Sequence, residues 1–153
     1  MSIWYRASQS SEIKIVFSGD GGLFIAGRWH YLGRKVIYFS QHISLCTLEW
    51  LSHNGLSVSG FNYYRYSIEI PDKLIKIFYS SDLPKEWNLT PATDVTRDFA
   101  EKNLFLSGHY IGLAFPSVII PEEFNLVLNP LHQDFSAILK SVVSLGKYSA
   151  PMR

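Results

Sequence analysis

An α+β domain built on a mixed or antiparallel sheet is the fold class this sequence predicts. Three observations carry that prediction. Strand-like segments stand before, between and after two helical segments rather than alternating with them one for one. Apolar residues make up 47% of the chain and aromatic residues 15%, which supports a packed core and argues against disorder. The 153 residues show no internal repeat, charge block or low-complexity linker, so they read as one domain over 1–153.

The elements follow in chain order. "SIWYRA" (2–7) opens as a short strand. "KVIYFS" (35–40), rich in β-branched and aromatic residues, reads as a buried strand. "ISLCTLEWLSHNG" (43–55) reads as a helix, with Leu45, Leu48 and Ser52 on one face and Ile43, Cys46 and Trp50 on a neighbouring one. Asn54-Gly55 supplies its stop, since glycine tolerates the left-handed turn at a helix end. "FNYYRYSIEIP" (61–71) alternates as a long strand that ends at proline, and "LIKIFY" (74–79) reads as another. "TPATDVTRDFAEKNLFLSG" (90–108) opens on Thr-Pro and closes on Gly108, as a helix does. "YIGLAFPSVIIP" (110–121) and "FNLVLNP" (124–130) return to strand character.

Composition removes several function classes. Fourteen basic and thirteen acidic residues leave a formal charge of +1, without the basic stripe that nucleic acid requires. Cys46 is the one cysteine, which excludes an internal disulfide framework and a multi-cysteine zinc site. His30, His42, His53, His109 and His132 share no metal-ligand spacing, so no metal is expected. "SGDGG" lacks the Lys-Ser/Thr of a phosphate loop, and no G-x-S-x-G elbow occurs. The start has no secretory pattern and no apolar run spans a bilayer, so a soluble, cytoplasmic protein is expected.

Four residues stand out for chemistry. Glu49 is the one carboxylate between Asp20 and Glu69, and it sits in the otherwise apolar "LCTLEWL". An ionised carboxylate is costly to bury, so its neighbours Leu45, Cys46, Trp50 and His53 mark it as a site candidate rather than a solvated charge. Arg28, in the glycine-rich "AGRWHYLG", is a loop charge or an anion clamp whose planar fork suits phosphate. Tyr38, mid-strand, is a core aromatic or a site group. Ser117, in "FPSVIIP", is a turn serine or a site group.

Taken in order, "GGLFIAGRWHYLGRKVIYFS", "SLCTLEWLSH", "FPSVIIP" and "NLVLNPLHQDF" resemble the RES domain family of bacterial toxins. The family's G-R-W motif falls on Arg28 and Trp29, its V-I-Y-x-S strand on Tyr38, and its L-E helix motif on Glu49 with His53 after it. Its V-P-S-x-x-x-P motif falls on Ser117, with Phe115 in place of valine. The closing N-x-L-x-N-P-x-H falls on Asn125, Asn129, Pro130 and His132.

The resemblance implies a fold like that of ADP-ribosyltransferase toxins. It also implies an enzyme that cleaves the nicotinamide–ribose bond of NAD+ with phosphate or water and so arrests growth. Glu49, Arg28, Tyr38 and Ser117 would be catalytic, and Arg28, Trp29, Tyr38 and Ser117 would bind NAD+, which is the substrate rather than a cofactor. The implied partner is an Xre-type helix-turn-helix antitoxin, with a homodimer or a larger complex with that antitoxin left open. Two other readings keep the same fold: transfer of ADP-ribose to a protein, and a catalytically silent binding domain.

Overall fold

The computed structural model describes residues 1–55 and 62–149. Seven strands form one sheet: β1 (Ser2–Ser8), β2 (Ile37–Ser40), β3 (Asn62–Ile70), β4 (Ile75–Ile77), β5 (Gly112–Pro116), β6 (Phe124–Leu128) and β7 (Val143–Ser149). The order across the sheet is β4-β5-β6-β2-β1-β3-β7. Only β4 and β5 run parallel; every other pair is antiparallel, so the sheet is mixed. The helices are α1 (Ile13–Val16), α2 (Ile43–Asn54), α3 (Asp94–Ala100) and α4 (Phe135–Leu139).

Alternation along the central strands builds a core on each face. Ile37 and Phe39 of β2, with Leu126 and Leu128 of β6, pack on one face against Trp4, Phe17, Tyr66 and Ile68. On the other face Leu113, Phe115 and Val127 pack with Trp29, Trp87, Ala100 and Leu104. The residues opposite each other there, Tyr38 with Val127 and Ser40 with Asn125, share this second face. Helix α2 buries Leu45, Cys46 and Trp50, and Trp50 stacks on Tyr63 with ring centroids 4.5 Å apart. Leu48 remains 40% exposed, so of the two predicted α2 faces the Cys46–Trp50 one, joined by Leu45, meets the sheet. Gly55 ends the helix at φ 70°, its N–H donating to the Leu51 carbonyl.

Several predicted boundaries move. The helix expected from Thr90-Pro91 begins at Asp94, because the Leu89 carbonyl and Thr90 hydroxyl are taken by Arg28 instead. It continues past Ala100 as a π-helical stretch, Glu101–Phe105. The strand expected over 110–121 stops at Pro116, because the Ser117 hydroxyl accepts the N–H groups of Ile119 and Ile120 and turns the chain. The strand expected over 61–71 is found as Asn62–Ile70, Phe61 lying outside the described residues. Helices α1 and α4 and edge strand β7 were not anticipated.

Candidate functional site

The sheet order brings β2 beside β6, and helix α2 lies over the same face. Glu49 on α2 thereby meets Ser117, just past β5, and Asn125 on β6. The Ser117 hydroxyl and the Asn125 amide each donate to Glu49 Oε1, both at 2.7 Å. Ser40 on β2 donates to the Asn125 carbonyl oxygen at 2.7 Å, which fixes the amide so that its N–H₂ faces the carboxylate. Glu49 Oε2 carries no hydrogen bond among the described residues. A carboxylate with one oxygen anchored and the other open is oriented for an incoming group.

Ser117 is 1% exposed, and its hydroxyl is fully occupied: it donates to Glu49 and accepts two backbone N–H groups at 3.1 Å. In this geometry Ser117 acts on Glu49. Asn125→Ala should therefore disorient Glu49 without unfolding the protein. Loss of one charged hydrogen bond corresponds to about a tenfold drop in activity. A melting curve alongside the activity assay checks it, and unchanged activity would remove Asn125 from the site.

Arg28 stands on the loop after Gly27, where a β-carbon would lie 2.6–2.8 Å from the His30 ring and the Tyr38 hydroxyl. Only glycine fits that close approach. Helix α3 secures the loop from below: Arg97 Nε donates to the Gly27 carbonyl at 2.8 Å, and the Thr96 hydroxyl donates to the Arg28 carbonyl at 2.5 Å. The Arg28 guanidinium donates through Nη1 to the carbonyls of Trp87 (3.0 Å) and Leu89 (2.6 Å). No carboxylate forms an ion pair with it among the described residues, so its charge stays available. Burial lowers its pKa from the ordinary guanidinium value, while Glu49 and Tyr38 oppose that shift by lying near it.

Tyr38 is half-buried beside Arg28, and burial raises its phenol pKa. Its hydroxyl lies 2.6 Å from His30 Nδ1 and accepts the Trp29 N–H at 3.4 Å. Trp29 itself is 5% exposed and stacks on Phe115 at 3.6 Å with the rings 2° from parallel. Its indole forms the packed floor behind Arg28.

The closing motif divides. Asn125 belongs to the Glu49 site, whereas Asn129 and His132 lie past the other end of β6, roughly 13 Å along the strand at 3.3 Å per residue. Asn129 accepts the Leu131 N–H at 3.0 Å and His132 Nδ1 accepts the Asp134 N–H at 3.1 Å, so both shape a turn. A cavity of about 600 Å³ opens at that end, lined by Arg34, Lys35, Phe105, Asn129 and His132. Its cations are already paired, Arg34 with Glu101 and Lys35 with Asp20, so the free charge lies with Arg28 and Glu49 instead. His53 is exposed on α2.

Ser40 was among the residues missed from sequence. Its signal was its position two residues after Tyr38, which in a strand puts both on one face. Among the described residues no three or more His, Cys, Asp or Glu side chains are grouped to hold a metal, and no helix is long and apolar enough to cross a membrane.

Comparison with known proteins places the fold in a family. The RES domain profile matches residues 3–149. A protein named Toxin Res from Photorhabdus laumondii is 35% identical over 143 residues, covering 94% of this chain and 91% of its own. Toxin Res of Yersinia enterocolitica is 34% identical, covering 93% of each chain. A Sphingobium protein named Prs ADP-ribosylating toxin is 33% identical over 138 residues, covering 88% of this chain and 85% of its own. Among solved structures, a chain of the M. tuberculosis MbcT–MbcA toxin–antitoxin complex superposes with a TM-score of 0.68 at 15% identity, over 97% of this chain and 83% of that one. With residues 3–149 matched by the family profile and three relatives above 30% identity over most of its length, the chain belongs to the RES domain family.

Proposed function

We propose that this RES-domain toxin consumes NAD+ by breaking the bond between nicotinamide and ribose. The observation that carries the reading is Glu49, held through Oε1 by Ser117 and Asn125 with Oε2 left open. Nicotinamide is cationic while attached and leaves neutral, so departure needs no general acid. The pair of carboxylates usual in glycoside hydrolysis can therefore reduce to one. Glu49 Oε2 stabilises the oxocarbenium-like ribose and accepts a ribose hydroxyl. Arg28, a cation without a carboxylate partner among the described residues, holds the pyrophosphate or an attacking phosphate. Tyr38 lies near Arg28, and Trp29 supports the loop that carries Arg28.

A second reading rests on the Sphingobium relative's name: the same site could pass ADP-ribose to a protein side chain. One experiment separates the outcomes. Pure protein is incubated with NAD+ with and without inorganic phosphate, and the products are identified. ADP-ribose indicates water as acceptor, a phosphorylated ADP-ribose indicates phosphate, and a modified polypeptide indicates transfer. Intact NAD+ after prolonged incubation would overturn the proposal.

An antitoxin partner, of Xre helix-turn-helix type, belongs to the same reading, supported by the fold shared with a chain of a toxin–antitoxin complex. With a net charge of +1, its recognition rests on local shape and apolar contact rather than long-range steering.

A further inference from the structure

His30 is not among the residues the family motifs assign, yet its ring is 5% exposed and bonded at both nitrogens. Nε2 lies 2.7 Å from the Ile25 carbonyl, and Nδ1 lies 2.6 Å from the Tyr38 hydroxyl. A carbonyl can only accept, so Nε2 carries the proton. In a neutral ring Nδ1 is then an acceptor, and the Tyr38 hydroxyl must donate to it. A phenol has one proton, and His30 takes it.

We infer that His30 is a positioning residue that commits the only proton of Tyr38 away from the substrate, so that Tyr38 offers the site a hydrogen-bond acceptor and its ring but no acid. The inference rests on the proposed NAD+ reading and narrows it. Tyr38 would accept a hydrogen bond from a ribose hydroxyl or an amide N–H, and would be of no use to a phosphate oxygen, which needs a donor. Phosphate recognition then falls to Arg28. The arrangement suits a leaving group that departs neutral, because no proton donor is required beside it.

The device depends on a neutral imidazole. Burial lowers the His30 pKa from its ordinary value; the bond to the Ile25 carbonyl opposes this and the Arg97 charge adds to it. The titratable and charged groups near the ring are Tyr38 from β2 and Arg97 from α3. None is an anion that would favour protonation. Acidification would turn Nδ1 into a donor, force the Tyr38 proton outward and remove the acceptor from the site.

The test has two parts. Ring ¹⁵N shifts of labelled protein should show His30 with Nε2 protonated and Nδ1 bare at neutral pH, its charging midpoint below about 6.5. The opposite tautomer would overturn the inference whatever the activity of the protein. For activity, His30→Ala should lower the rate of NAD+ loss about tenfold, the effect of one lost hydrogen bond. In a Tyr38→Phe background the same change should add little, because there is no hydroxyl left to orient. His30→Asn, whose amide oxygen can take the place of Nδ1, should recover most of the activity and lose less of it than the wild type does as the pH falls through the His30 midpoint read from the ring shifts. An equal loss from His30→Ala in both backgrounds, or identical pH profiles for wild type and His30→Asn, would refute the role. Should His30→Ala not fold, His30→Asn and the ring shifts still decide the question. If the wild type leaves NAD+ intact, the proposed reaction fails, and the same variants are then compared by growth arrest on induction.

Discussion

Glu49→Gln is expected to fold as the wild type does and to lose NAD+ consumption and growth arrest together. The amide oxygen of glutamine can occupy the place of Oε1 and still accept from Ser117 and Asn125 at the 2.7 Å seen for both. What changes is the open oxygen, which becomes an uncharged N–H₂. The carboxylate charge is the feature that favours an oxocarbenium-like ribose over the ground state, and removing such preorganised stabilisation costs roughly a hundred- to a thousandfold in rate. A melting temperature close to that of the wild type must accompany the loss, because the packing of α2 against the sheet through Leu45, Cys46 and Trp50 is untouched. A stably folded Glu49→Gln protein that still drains NAD+ would sink the assigned role.

Arg28→Lys should fail to restore function although it keeps the charge. The guanidinium spans two carbonyls with Nη1, those of Trp87 and Leu89, and reaches toward Thr90 with Nη2. The planar fork can hold this segment and keep donors for an anion at the same time. An ammonium concentrates its donors at one point, so it must choose between the segment and the anion. Loss of a charge-assisted bond of this kind corresponds to about a 10- to 100-fold fall in kcat/KM, carried mainly by a rise in KM for NAD+. The measurement is a saturation curve for the variant beside the wild type. Unchanged KM would mean that Arg28 does not clamp the substrate and serves only to fasten residues 87–90.

Much of the outline was present in the order of the residues. Glu49 stood out because a carboxylate in "LCTLEWL" conflicts with its apolar surroundings, and conflicts of this kind collect at functional sites. Strong local patterns also placed five strands and the helix α2 to within a few residues, and Gly55 marked the end of α2 through a backbone preference that acts locally. Where local signals competed with tertiary ones, the boundaries moved. Thr90-Pro91 reads as a helix start by itself, but the Arg28 guanidinium, 61 and 62 residues away in the chain, claims the Leu89 carbonyl and the Thr90 hydroxyl. Edge strand β7, "VSLGKYS", carries little apolar pattern because most of it faces solvent, so nothing in its sequence announced it.

By itself the sequence determined the α+β class with a mixed or antiparallel sheet, and it singled out Glu49, Arg28, Tyr38 and Ser117 as site candidates. The tertiary structure alone decided what each side chain does there. Ser40, Asn125, Ser117 and Glu49 come together across separations of 68 to 85 residues, because the sheet order sets β2 beside β6 and lays α2 over them. The same packing buries Trp29 against Phe115, turns the Ser117 hydroxyl toward Glu49 and the Tyr38 hydroxyl toward His30, and leaves Asn129 and His132 at the far end. The physical reason is that a motif states which donors and acceptors exist, whereas the direction of each hydrogen bond depends on which strands become neighbours.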